Sequence, residues 1–220
     1  MPTLGALTTS VYRDLADEAK EVFSTLQIED FIRHGMAELN RIAPQVAEIP
    51  LALSFDVDTG KMTTQTYQTT IDLPYMVEVR WLDNSQSIPL APADMGQSFM
   101  SGYIFHRTNT GGTIILPPWI ASFVDEDLHG VVLTGYTSRP IPYGTATNVA
   151  ISDEEEYLVR AYAKSQGYDL LSHDRAMFAQ WQGQTNNSDV SPTQLMQMAG
   201  QAAQGWDRMR SLNRVVRRYF

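Results

Sequence analysis

Apolar residues near the start of the chain recur at helical spacing. The apolar positions of the first stretch are Leu4, Leu7, Val11 and Leu15. They predict a helix that Thr3 can cap with its hydroxyl group. A second apolar stripe covers residues 28–42 and predicts another helix. Ser24 stands three residues before Gln27, which is the spacing of a capping box, and Thr25 is an alternative cap.

Helical spacing returns in the last third of the chain. Ser152 and Glu155 form a capping-box pattern within a run of acidic residues, which the dipole of a helix favours in its first turn. We expect Gly167 to bend this helix. A final helix is predicted after Ser191, with Pro192 at its first position. The acidic run therefore indicates a helix start without any functional assumption.

The middle of the chain changes to the alternating pattern of strands. The strand-like stretches are a hairpin or two short strands in 51–73, a strand in 75–83, a strand–turn–strand in 101–119 and a strand in 130–140. None of them alternates with a long helix, so an antiparallel sheet is favoured over a doubly wound parallel one.

These patterns together predict an α+β fold. N-terminal helices, a small antiparallel β region and long C-terminal helices would form a helical bundle with a β insertion. We expect one domain over 1–220, helical in 1–45, β in 50–140 and helical again in 151–220 with a basic tail.

Composition narrows the class of protein. Hydrophobic residues make up 43% and charged residues 19%, as in globular proteins with a buried core. The chain has no cysteine, which excludes disulfides, thiolate metal sites and a cysteine nucleophile. No signal-peptide pattern opens the sequence, and no apolar run approaches the ~20 residues that span a bilayer. We expect a soluble protein.

Charge is distributed unevenly along the chain. The net charge is −9, but the last 15 residues, WDRMRSLNRVVRRYF, carry +4 and the first 205 carry −13. An acidic body argues against wrapping of duplex DNA, because phosphates would meet like charge. The basic tail suits an acidic partner surface or a phosphate backbone. It is also consistent with a solvated helix end whose cations are favoured by the helix dipole.

Candidate catalytic and metal-binding motifs are incomplete. Residues 56–61 (DVDTGK) begin like a calcium loop but lack its later ligands, so an ordinary turn is favoured. Asp125, Asp127 and His129 could serve a metal-dependent hydrolase, although a solvated acidic loop is favoured. The glycine-rich stretch 108–113 lacks the lysine of a phosphate-binding loop, and G-x-S-x-G is absent. We therefore expect no catalytic, cofactor-binding or metal-binding residues.

The order of short motifs resembles that of head-to-tail adaptor (connector) proteins of tailed bacteriophages. The matching segments, in order, are TLGALTTSVYRDLAD, IEDFIRHGMAELNRIAP, TTIDLPYMVEVRWLD, SIPLAPADM, GTIILPPW, GVVLTGYTSRPIPY and ISDEEEYLVRAYAKSQGYDLL. The D-L-P step, the P-P strand end and the Y-x-R-x-P strand end before a long helix carry the likeness. It covers nearly the whole chain, although each motif is short.

The resemblance implies a structural virion protein without catalysis or cofactor. It would form a homo-oligomeric ring, expected to be twelve-fold, beneath the portal protein at the neck. The ring would extend the DNA channel, let the genome pass without sequence-specific binding, and attach tail or stopper proteins. Synthesis in the bacterial host cytoplasm and no membrane contact are implied as well.

The partner interface is assigned to a proline-rich arm and to the basic end of the chain. Its residues are Arg139, Pro140, Pro142, Tyr143, Arg208, Arg210, Arg214, Arg217, Arg218, Tyr219 and Phe220. The arm, rigid and poor in hydrogen-bond donors, is suited to lie on a neighbouring subunit. The basic helix is predicted to dock on the portal. Alternatives are another neck component such as a stopper or tail terminator, the metal-dependent hydrolase, and a small nucleic-acid-binding protein that uses the arginine tail.

Overall fold

The structure, a computed structural model, describes residues 1–83, 85–93, 102–108, 111–185 and 189–216. In chain order the elements are α1 (Leu4–Asp14), α2 (Thr25–Ile42), β1 (Gln45–Pro50), β2 (Thr66–Thr69), β3 (Leu73–Trp81), β4 (Ser87–Pro92), β5 (Gly102–Thr108), β6 (Gly111–Ile115), α3 (Pro118–Phe123), β7 (His129–Thr137), α4 (Asp153–His173), α5 (Arg175–Thr185) and α6 (Pro192–Val216). Among the described residues, no helix has the length and apolar character needed to cross a membrane.

The chain folds into two compact units. Met1–Ala43 and Arg139–Phe220 together form one of them, called the helical unit below. Pro44–Ser138 forms the other, the sheet unit. The sheet unit is thus inserted into the helical unit, and the chain passes between the two units twice, after Ala43 and before Arg139.

The helical unit begins its helices at the predicted caps. Thr3 Oγ1 accepts a hydrogen bond from the amide of Ala6 at 3.2 Å. Ser24 and Gln27 form a complete capping box at the start of α2. At the start of α6, the Ser191 hydroxyl accepts from the Gln194 amide at 3.3 Å. These predictions are confirmed, because a cap depends only on residues within one turn.

Apolar faces of these helices share one core. Its fully buried positions include Leu4, Leu7, Val11, Leu15, Ile28, Ile32, Met36, Leu39, Val159, Ala163 and Leu195. α4 continues without interruption through Gly167. A Cβ atom at Gly167 would lie 2.8 Å from the side chain of Leu15, so this glycine allows α1 and α4 to approach closely.

The sheet unit contains a seven-stranded sheet in the order β1-β7-β3-β4-β5-β6-β2. All neighbours pair antiparallel except β4 and β5, which are parallel at Ala91↔Gly102 and Pro92↔Tyr103. The sheet is curled into half of a barrel. Its core face includes Val77 paired with Leu133 and Val79 paired with Val131, all of them fully buried.

The α+β class holds, but the prediction of a small antiparallel β region within a helical bundle is wrong. The strands form a large mixed sheet that is central to the fold. β1 and β4 were missed, since both contain proline, which disfavours interior strand positions. The parallel pair was missed because only residues 93–101 separate β4 from β5, fewer than the dozen or so of a usual crossover.

Candidate functional site at the Arg139 junction

Arg139 lies where the chain re-enters the helical unit after β7. Its residue surface is only 6% exposed. One guanidinium nitrogen, Nη1, donates to the backbone oxygen of Ala43 at 2.7 Å. The other, Nη2, forms an ion pair with the Glu155 carboxylate. Ala43 is the last residue of the helical unit before the chain enters the sheet unit, so this side chain joins the two crossing segments.

A single amide side chain fixes the backbone of Arg139. Asn40, in the last turn of α2, donates through Nδ2 to the Arg139 carbonyl oxygen at 2.9 Å. Its Oδ1 accepts from the Arg139 amide, also at 2.9 Å. Both backbone groups of this residue are therefore satisfied by one partner that lies 99 positions away in the sequence.

The Glu155 carboxylate makes two contacts at this junction. Its Oε1 meets Arg139, while its Oε2 accepts from the backbone amide of Ser152 at 2.9 Å. The Ser152 hydroxyl in turn accepts from the Glu155 amide at 3.3 Å, so the predicted capping box at the start of α4 is confirmed. The acidic residue that caps α4 is thus also the counter-ion of the buried arginine.

The proline arm after Arg139 packs on helices of the same chain. Pro142 is buried, and its carbonyl oxygen accepts from Arg33 Nε at 3.1 Å. Farther along, Thr145 and Thr147 accept through their carbonyl oxygens from the amides of Gly5 and Leu4, at 2.9 and 3.1 Å. The first amides of a helix have no partner within it, so the arm satisfies donors at the start of α1.

The predicted interface residues therefore have different surroundings. Arg139 and Pro142 are buried within the helical unit, whereas Pro140 is exposed and Tyr143 is 82% exposed. On α6, Arg208 is exposed, and Arg210 and Arg214 belong to the same helix. Arg217, Arg218, Tyr219 and Phe220 lie outside the described residues. Of the predicted residues of the arm, Pro140 and Tyr143 therefore lie at the surface.

The acidic loop before β7 is organised by backbone contacts. The Asp125 amide donates to His129 Nδ1 at 3.3 Å, and the Asp127 amide donates to Asp125 Oδ1 at 2.9 Å. The His129 ring packs against Trp81 and Phe123, with centroids 4.7 and 5.1 Å away. In the described part of the chain, no three His, Asp or Glu side chains form a group that could hold a metal ion. The Asp125 carboxylate, the Asp127 backbone amide and the His129 ring thus take part in local contacts.

The calcium-like sequence at 56–61 forms a turn. Asp56 Oδ1 accepts from the Thr59 hydroxyl and the Thr59 amide, each at 2.8 Å. These hydrogen bonds, the one from the hydroxyl first, lower the pKa of the Asp56 carboxyl. Gly60 adopts a left-handed φ of 64°, which glycine tolerates without strain. The carboxylate that resembled a metal ligand is therefore engaged in its own turn.

Sequence analysis missed Asn40 and assigned Arg139 to the outside. A polar residue near a helix end is ordinary, and nothing local pairs it with a residue in another part of the chain. Since proline-flanked arginines are commonly exposed, the motif itself favoured a surface position. No protein-family model matches this sequence, and no curated protein matches it significantly.

Proposed function

We propose that this protein is a structural subunit of a tailed-bacteriophage virion, a head-to-tail adaptor that assembles as a ring beneath the portal. Large apolar side chains exposed on each unit carry the proposal. They include Val46, Tyr75, Leu82 and Leu128 in the sheet unit and Tyr143, Tyr157 and Met196 in the helical unit. Among them, Leu82 and Leu128 are neighbours, since the Leu82 amide donates to the Leu128 carbonyl oxygen. Adjacent exposed apolar side chains of this kind are typical of contacts with other protein surfaces. A ring of identical subunits provides such contacts on two sides of every subunit.

Two further observations support a structural role at a DNA channel. Asp125 and His129 are tied into a loop and an aromatic cluster, and Asp56 is tied into a turn. The charge of −13 on the first 205 residues also suits a channel that DNA must pass without adhering, since like charges repel.

A second candidate within the same class is a stopper or tail terminator. Those neck proteins are expected to be built around a β-barrel or sandwich. The seven-stranded curled sheet favours this alternative more than the sequence did. Both candidates share self-assembly and a place at the neck, but the adaptor is expected to bind the portal itself.

Electron microscopy of purified components tests the proposal. The chain is mixed with the portal protein of its phage, and the product is imaged. The adaptor predicts an added ring on one face of the portal. A ring that binds only after another neck protein is supplied supports the second candidate, and a chain that never joins such particles contradicts both.

A further inference from the structure

Two exposed leucines lie side by side at one end of the sheet unit. Leu82 and Leu128 are 59% and 56% exposed. The Leu82 amide donates to the Leu128 carbonyl oxygen at 3.0 Å, which extends the pairing of β3 with β7 by one residue. A Cβ atom at Gly130 would lie 3.7 Å from Leu82, so the glycine leaves the flank of this side chain open.

Each leucine has carboxylates on one side of it in the sequence, with Trp81 before Leu82 and His129 after Leu128. Asp83 follows Leu82, and Asp125, Glu126 and Asp127 precede Leu128. All four acidic residues are exposed, and within the described ranges none forms an ion pair. The leucines and these four acids are called the leucine–acid patch below. A segment that binds this patch well would combine apolar side chains, which contact the leucines, with cations, which face the carboxylates.

The chain itself contains such a segment in residues 208–220, RMRSLNRVVRRYF. Five of the 16 basic residues of the protein occur there, without any acidic residue. Leu212, Val215 and Val216 stand between the arginines, and Tyr219 and Phe220 follow the last of them. Met209 is partly buried against the core of the helical unit. The segment thus offers apolar groups to the leucines and positive charge to their acidic surroundings.

We propose that the leucine–acid patch binds residues 208–220 of a second copy of the chain. The inference deepens the proposed function and rests on the self-assembly in it. A contact between two different surfaces is heterologous, and it closes into a ring when the rotation between copies permits. It assigns the arginine segment to a neighbouring subunit, whereas sequence analysis predicts docking of that segment on the portal.

Cysteine crosslinking tests this contact directly, since the chain has no cysteine of its own. Full-length Leu128→Cys protein is mixed with full-length Ser211→Cys protein and treated with a short bismaleimide. The matched control replaces Leu128→Cys by Val57→Cys, because Val57 is 100% exposed in a turn of the same unit. We expect a crosslinked heterodimer for Leu128 in several-fold excess over the control. The excess should fall at high salt, which shortens the screening length from about 10 Å at 0.1 M to about 3 Å at 1 M.

Charge reversal supplies a second, independent readout. Replacing Glu126→Lys and Asp127→Lys should lower the crosslinking yield about tenfold, a scale consistent with reversing two charges against partner cations. Arg214→Glu with Arg217→Glu in the Ser211→Cys partner should restore it. Asp58→Lys, at an exposed carboxylate elsewhere in the sheet unit, should leave the yield unchanged.

Equal yields for Leu128 and Val57 would overturn the proposal. A further protein carries both Leu128→Cys and Ser211→Cys. A crosslink within that chain, with none between the two single variants, would also overturn the proposal. Portal binding does not enter this assay, so a crosslink between copies together with failure to bind the portal would refute the adaptor role alone.

Discussion

Replacing Arg139 with methionine removes the side chain that links the two segments in which the chain passes between the units, at Ala43 and at Arg139. Methionine keeps much of the apolar stem but neither of the charged contacts. The substitution leaves the Ala43 carbonyl oxygen without its guanidinium donor and the Glu155 carboxylate without its counter-ion. The hydrogen bonds of Asn40 to the backbone of residue 139 can persist, because they do not involve that side chain.

The surroundings of Arg139 determine how much the free energy of unfolding should fall. Breaking a fully buried ion pair on one side costs about 3–5 kcal/mol. Here the Glu155 side chain is still 21% exposed, and Arg139 Nε is buried without an acceptor among the described residues. Both features reduce the cost, so we expect a loss of about 2–3 kcal/mol in the free energy of unfolding.

Urea unfolding followed by far-ultraviolet circular dichroism measures this loss. With a slope of about 1–3 kcal/mol per molar urea, the midpoint should fall by roughly 1 M. Glu155→Gln is the matched control, because glutamine can still complete the capping box and leaves a weaker, neutral partner for Arg139. A double-mutant cycle of Arg139→Met and Glu155→Gln should give a coupling free energy of about 1–3 kcal/mol between the two side chains. A change below about 0.5 kcal/mol for Arg139→Met would refute the junction as a stabilising feature.

The remaining predictions concern the insertion, the helix packing and the tyrosines. Excising 44–138 and joining the ends with a short Gly-Ser linker should leave a cooperatively unfolding helical protein, and a product without helical circular dichroism would contradict the inserted arrangement. Gly167→Ala should destabilise the protein by about 1–3 kcal/mol through contact with Leu15, whereas Gly200→Ala, with no atom within 4 Å, should stabilise α6 by about 0.5–1 kcal/mol, both measured by thermal unfolding. Burial raises the pKa of four tyrosines, namely Tyr67, Tyr103, Tyr162 and Tyr168. As the pH rises, the unfolded chain loses its phenol protons before the folded chain does, so the free energy of unfolding should fall above about pH 10. In a pH titration, tyrosinate absorbance of the folded protein should rise at higher pH than that of the unfolded protein. Coincident titration curves would contradict this.

Local chemistry made the helix starts predictable. Thr3, Ser24 and Ser152 each accept a hydrogen bond from the amide three residues later, so one turn of sequence contains the whole interaction. The alternation in β3 and β7 was equally visible, because a strand with one buried face repeats every two residues. The order of strands was not, since pairing joins residues far apart in the chain.

Arg139 shows why the site was harder to predict. Its sequence neighbours describe a rigid, exposed turn, and only the distant Asn40, Ala43 and Glu155 make it a buried junction. Burial of a charge is disfavoured unless a partner compensates it, and a single sequence does not reveal that partner. The adaptor assignment, in contrast, depends on a motif order and on surface residues.

The most direct test of the adaptor role is the location of the chain in assembled particles. Under the proposed function, purified virions of a tailed phage whose genome encodes the chain can be labelled with gold-conjugated antibodies against it and imaged by electron microscopy. The account predicts label at the single vertex where head meets tail, in several copies per particle. Particles that are complete and infectious but carry none of this chain would contradict it.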